Sequence, residues 1–126
     1  MARRSNKKGR SEGGGRFLAL PHTLLHSPSF RQLSCPARAV LIEIAAIYDG
    51  QNNGRIGAGV RWLAERCNVS KDTISRAIQE LEDGGFIAVV SKGSFRVHQK
   101  RASEYRITWR KCDVTDALPT HPYLHH

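Results

Sequence analysis

The residues able to do covalent or metal chemistry are few and poorly spaced. Cys35, Cys67 and Cys112 are odd in number and form no CxxC pair, whereas a structural zinc takes four ligands in a tetrahedron. Cys112 with His121 supplies two ligands, as do His22 and His26, four residues apart. The cysteines read as free, small core residues in a reducing compartment. Gly54, Gly57 and Gly59 follow no strand and lead to no lysine-serine ending, so they make no phosphate loop. There is no HExxH and no Ser-His-Asp order. The sequence therefore leads us to expect no catalytic residue, no metal, no cofactor and no enzyme.

A different chemistry, hydrogen bonding from one helical face, is well provided for. Ile74, Ala77, Ile78 and Leu81 recur at steps of three and four and form an apolar stripe. Lys71, Asp72, Thr73, Ser75, Arg76 and Gln79 surround it with donors and acceptors. A helix fits the DNA major groove, where Arg, Gln, Ser and Thr side chains bond base edges. The early turns should enter deepest, so these six are the candidate base-reading residues. Asp72 either accepts from a base or orients Arg76 four residues on. Arg61, Arg66 and Ser70 are the candidates for backbone phosphates.

Such a face needs a rigid support, and the flanking sequence describes one. Ser34 can cap a helix whose first turn tolerates Pro36. Val40, Leu41, Ile44, Ala45, Ile47 and Tyr48 give that helix a buried stripe, and Asp49-Gly50 stops it. Asn52-Asn53-Gly54 reads as a tight loop. Val60, Leu63 and Ala64, with Trp62 beside them, form a short helix from about Gly59 to Arg66. Cys67-Asn68-Val69 connects it to a third helix capped by Ser70 and ended by Gly84-Gly85. Leu63, Ala64, Val69, Ile74 and Ile78 should dock the two. Period two then takes over. Phe86 to Val90 is strand-like, Lys92-Gly93-Ser94 turn-like, and Phe95 and Val97 alternate with Arg96 and His98, which reads as a hairpin. Tyr105, Ile107 and Trp109 mark a further strand over 104–110, either paired with the hairpin or at the sheet edge.

Leu63-Ala64-Glu65, Asn68-Val69-Ser70, Thr73-Ile74, Arg76-Ala77, Leu81-Glu82 and Gly84-Gly85-Phe86-Ile87 together resemble the motif of bacterial winged helix-turn-helix DNA-binding proteins. The pattern is similar to the GntR-type N-terminal domain and to the MarR-like and replication-initiator group. Asn52 to Arg55 and Arg101 to Trp109 also resemble small phage-, plasmid- or mobile-element-associated members. The resemblance implies an α+β winged helix-turn-helix with a three-helix core and a small antiparallel sheet. It makes the helix after Ser70 the recognition helix and Lys92, Gly93, Ser94, Arg96 and His98 the wing. The sequence departs from the GntR-type pattern in that residues 111–126 read as a tail where that pattern leads us to expect an effector domain.

The charge agrees with a polyanionic partner. Across 126 residues, 20 Lys plus Arg stand against 11 Asp plus Glu, for a net +9. Residues 1–16 carry Arg3, Arg4, Lys7, Lys8, Arg10 and Arg16 against Glu12, a net +5, and leave +4 for the rest. This segment, rich in Arg, Lys, Ser and Gly, reads as a disordered basic arm. Residues 17–33 read as an apolar extension packed on a domain at 34–110, with a tail over 111–126. No run approaches the roughly 20 apolar residues of a membrane span, and no signal peptide precedes the glycines. The expectation is a cytoplasmic, nucleoid-associated protein that binds double-stranded DNA sequence-selectively as a transcriptional regulator. Its rival is a winged-helix module for protein contact in a regulatory, replication, partition or excision complex. A homodimer is the further partner left open.

Overall fold

The computed structural model describes residues 15–91, 94–96, 99–101 and 103–125, with side chains over 15–90 and 103–124. Arg3, Arg4, Lys7, Lys8, Arg10, Lys92, Gly93 and His98 lie outside the described residues. So do the side chains of Ser94 and Arg96.

Two short helices, α1 (His22–Leu25) and α2 (Pro28–Arg31), lead into α3 (Cys35–Ile47). The local signals act as expected. Ser27 Oγ caps α2 by accepting from the Phe30 amide at 3.1 Å, and Ser34 Oγ caps α3 by accepting from Ala37 at 3.2 Å. Ala37, Val40, Leu41, Ile44 and Ala45 form the buried stripe of α3. The chain continues through β1 (Ile56–Gly57), α4 (Val60–Cys67) and α5 (Lys71–Asp83). These two helices bury Leu63 and Ala64, and Ile74, Ala77, Ile78 and Leu81. Trp62 stays outside the core at 40% exposure. The result is a winged helix-turn-helix fold in which α3, α4 and α5 pack beside a small antiparallel sheet.

The sheet departs from the sequence expectation. After α5 come β2 (Ile87–Ser91), β3 (Ser94–Arg96), β4 (Gln99–Arg101) and β5 (Glu104–Ile107); β2 and β5 join β1 in one sheet, and β3 and β4 form a separate two-stranded one. β5 is the central strand of the order β1-β5-β2, not an edge. β2 pairs with β5, through Ile87↔Ile107 and Val89↔Tyr105. The expected partner of β2, the segment around Phe95, instead pairs with β4. Of the expected turn Lys92-Gly93-Ser94, the described residue Ser94 begins a strand opposite Arg101, in a ladder that ends at Arg96↔Gln99. Ser91↔Glu104 and Ser94↔Arg101 lie three residues apart on both strands, so the described pairs of the two ladders keep one register. The physical reason is burial. This register aligns Ile87 with Ile107 and Tyr105 with Val89 on the helix-facing side, and Ile87, Tyr105 and Ile107 are nearly inaccessible. A hydrophobic pattern of this kind outweighs the local turn preference of one glycine.

The strand also ends at Ile107, earlier than its alternation suggests. Thr108 is buried and its hydroxyl donates to the Gly85 carbonyl at 2.7 Å, which turns the chain toward the end of α5. Trp109 remains buried without belonging to the strand. Beyond it, Cys112 and Tyr123 enter the interior. Tyr123, in a 3-10 turn over Pro122–His125, stacks on Phe86 at 5.2 Å between centroids, and Phe30 meets the same ring edge-on. Gly85 adopts φ +83°, and a Cβ there would lie 2.9 Å from that of Pro122.

Asn53 links the loop after α3 to this closing segment. It is fully buried. Its Oδ1 accepts from the Ile107 amide at 2.7 Å. Its Nδ2 is shared among the carbonyls of Ile107, Arg110 and Lys111. The Asp113 carboxylate accepts from the Asn53 amide at 2.8 Å. A tight loop places the residue, but side-chain bonds to a strand more than fifty positions away hold it.

Candidate nucleic-acid interface

The connection between α4 and α5 fixes how α5 is presented. Asn68 ends α4 in the left-handed region at φ 58°, ψ 47°, which Asn tolerates better than most residues. The Val69 amide bonds back to the Ala64 carbonyl at 3.1 Å. Ser70 then restarts the chain as a cap. Its Oγ accepts from the Thr73 amide at 3.1 Å and lies 3.0 Å from Thr73 Oγ1. Asp72 occupies the first turn, where the helix dipole favours a carboxylate. Ile74, Ala77, Ile78 and Leu81 face inward, which leaves the other side of α5 to solvent.

The six candidate base-reading residues sort into two groups. Lys71, Asp72, Ser75 and Arg76 are exposed, and none has a side-chain hydrogen bond or ion pair among the described residues. Asp72 and Arg76 do not pair with one another. Thr73 is half-buried and turned to the Ser70 cap. Gln79 is exposed and donates from Nε2 to Asp83 Oδ1 at 2.9 Å. Ser75 also borders a shallow cleft of about 200 Å³ between α5 and the sheet, with Glu82, Val89 and Tyr105. Burial pushes the Tyr105 phenol up, a hydrogen bond with Ser103 offsets part of that, and the Glu82 carboxylate adds to the rise.

The candidate phosphate contacts differ in freedom. Arg61 is exposed. Arg66 is braced: its Nε donates to Glu43 Oε1 at 2.9 Å, and its guanidinium lies 5.5 Å from the Trp62 ring centroid. The terminal nitrogens remain available, since a guanidinium has five donors. Burial, followed by the Glu43 carboxylate, pushes the neighbouring Cys67 thiol up, and Arg66 pulls it partly back. Ser70 spends its oxygen on the helix cap. Arg16 is the described member of the basic arm, and it is exposed. The braces from Glu43 and Asp83 were missed in the sequence reading. The second stands at readable i, i+4 spacing; the first joins separate helices and has no local signal.

Residues 31–87 match the family model described as a helix-turn-helix domain. The match runs from the last residue of α2 to the first of β2, and includes the whole α4–turn–α5 unit. It supports a DNA-binding or regulatory role in general and does not distinguish among subfamilies. Comparison with curated proteins and with solved structures gave no match. Among the described residues no group of three or more His, Cys, Asp or Glu could hold a metal ion, and no helix is long and apolar enough to cross a membrane.

Proposed function

We propose that the helix-turn-helix domain binds double-stranded DNA sequence-selectively, with α5 as the recognition helix in the major groove, and that the protein acts as a transcriptional regulator. One observation carries the reading. The first two turns of α5 are fixed by a buried inner face and a serine cap, while Lys71, Asp72, Ser75 and Arg76 stand outward without partners. Ionic and polar side chains held at a rigid surface and left unsatisfied can exchange water for base edges. Arg61, Arg66 and the backbone around Ser70 contact phosphates, and the strands β2 to β5 serve as the wing. The segment 1–16 forms a separate basic arm that adds affinity without sequence preference.

The test is a gel shift over a salt series with duplexes selected from a random pool. Binding should weaken steeply with salt, by about 0.9 in log–log slope per phosphate contact. Arg76→Ala should reduce discrimination between selected and unrelated duplexes by about tenfold, the scale of one lost base contact. Deleting residues 1–16 should lower affinity and salt slope together. Equal losses on all duplexes would overturn the role of Arg76 in reading bases. Failure to bind any duplex, with capture of a protein partner lost in Arg76→Ala, would favour the protein-contact module instead.

A further inference from the structure

We infer that Asp83 is a positioning residue that presents the Gln79 carboxamide to an adenine. The inference rests on the reading of α5 as the helix that enters the groove. Gln79 continues the exposed line of Asp72, Ser75 and Arg76, at helical steps of three and four. An unrestrained glutamine amide can present its oxygen or its nitrogen either way round. Asp83 removes that choice. An ionised carboxylate only accepts hydrogen bonds, so it takes the Nε2 end, as observed at 2.9 Å. A flipped amide would set Oε1 against the carboxylate.

The bond to Asp83 uses one of the two Nε2 hydrogens. The other, together with Oε1, is left as an ordered donor–acceptor pair. In the major groove adenine offers N7 as acceptor and N6 as donor, which matches that pair. Guanine offers two acceptors, N7 and O6, so one of them would meet Oε1. The arrangement therefore selects adenine over guanine.

The position of Asp83 argues for a role beyond stability. It is the last residue of α5, and the last turn holds no basic residue. A carboxylate there faces the negative end of the helix dipole, where it is disfavoured. Its side chain is exposed and contributes nothing to the core.

Binding-site selection from a random duplex pool, run on the full chain, tests the assignment. The wild type should select a motif with adenine at one position, favoured over guanine by about tenfold. Gln79→Ala should lose that preference. Asp83→Ala should lose it at the same position while preferences elsewhere are kept. Asp83→Asn can donate as well as accept, so it no longer dictates which way round the amide sits and should weaken the preference at that position. Both Asp83 variants relieve a helix-end carboxylate, so each should fold, as circular dichroism would verify. If Asp83→Ala leaves the adenine preference intact, or if Asp83→Asn keeps it in full, the inference is overturned and groove recognition by α5 stands. If Gln79→Ala changes no position, adenine reading by Gln79 is overturned. If the wild type selects no motif, both readings are overturned.

Discussion

Glu80 on α5 grips the cap of α3: its two carboxylate oxygens accept from the Ser34 amide at 3.0 Å and the Ser34 hydroxyl at 2.8 Å. The same Ser34 oxygen accepts from Ala37. One residue thus caps its own helix and clamps it to α5. This changes the charge account of α5. Counted along the sequence, Glu80 dilutes the positive character of that helix. In the fold its charge is directed to α3, and the outward line from Lys71 to Arg76 is less acidic than the helix as a whole.

Glu80→Ala should therefore act on stability and not on base preference. Loss of two charge-assisted bonds near the surface should cost about 1–2 kcal/mol in urea unfolding. Ser34→Ala should cost about 1–2 kcal/mol, since it loses both the cap and the hydroxyl bond to Glu80. The double variant should cost less than the two together, because they share a contact. A changed duplex preference in folded Glu80→Ala would contradict this placement.

Asn53 should be among the least replaceable residues. Asn53→Ala removes bonds to Ile107, Arg110 and Lys111 and leaves buried backbone groups unsatisfied. About 3–5 kcal/mol is expected from several such losses. Asn53→Asp should be no better, since a carboxylate would face the carbonyls to which Nδ2 now donates. Thermal unfolding would measure both, and a loss below about 1 kcal/mol for either would refute the assigned role.

The two core tyrosines give the protein an alkaline limit. Burial pushes the Tyr123 phenol above its ordinary value, and Tyr105 is raised as well. A raised folded value means that the folded state holds its proton longer than the unfolded state. Stability is then full below about pH 10, the unfolded value, and falls as pH rises through the folded ones. Tyr123 Oη is buried and has no hydrogen-bond partner among the described residues. Tyr123→Phe should accordingly keep or raise neutral-pH stability and reduce the alkaline loss, whereas Tyr123→Ala should cost about 3–5 kcal/mol. Denaturant midpoints from pH 8 to 11 would show both. A large neutral-pH loss in Tyr123→Phe would show that the hydroxyl is satisfied after all.

The parts of the fold legible in the sequence are those that local chemistry dictates. Ser34 and Ser70 are capping residues in a recognisable setting, and the stripes of α3 and α5 show their periods within one helix. The pairings that close the structure have no such signature. Ser34 and Glu80 stand 46 residues apart, and Asn53 and Ile107 stand 54 apart. The partner of β2 depended on which of two later segments could bury more apolar surface opposite it. Alternation alone identified both as strands and did not choose between them. At the candidate interface, residue type and helical spacing marked the outward face of α5. Thr73 turns away from it to the local Ser70 cap, whereas the turning of Glu80 depends on the cap of α3, which only the assembled helices bring near.

The central place of β5 has a consequence for folding. β1 precedes the helix-turn-helix and β2 follows it, yet they share a sheet only through β5. Phe86 likewise waits for Tyr123. A chain extended only through residue 87 contains α3, α4 and α5 but neither of the pieces that close their core. Non-local pairing of this kind is completed late. The geometry in which α5 is presented is therefore completed only once residues 104–123 have joined the fold.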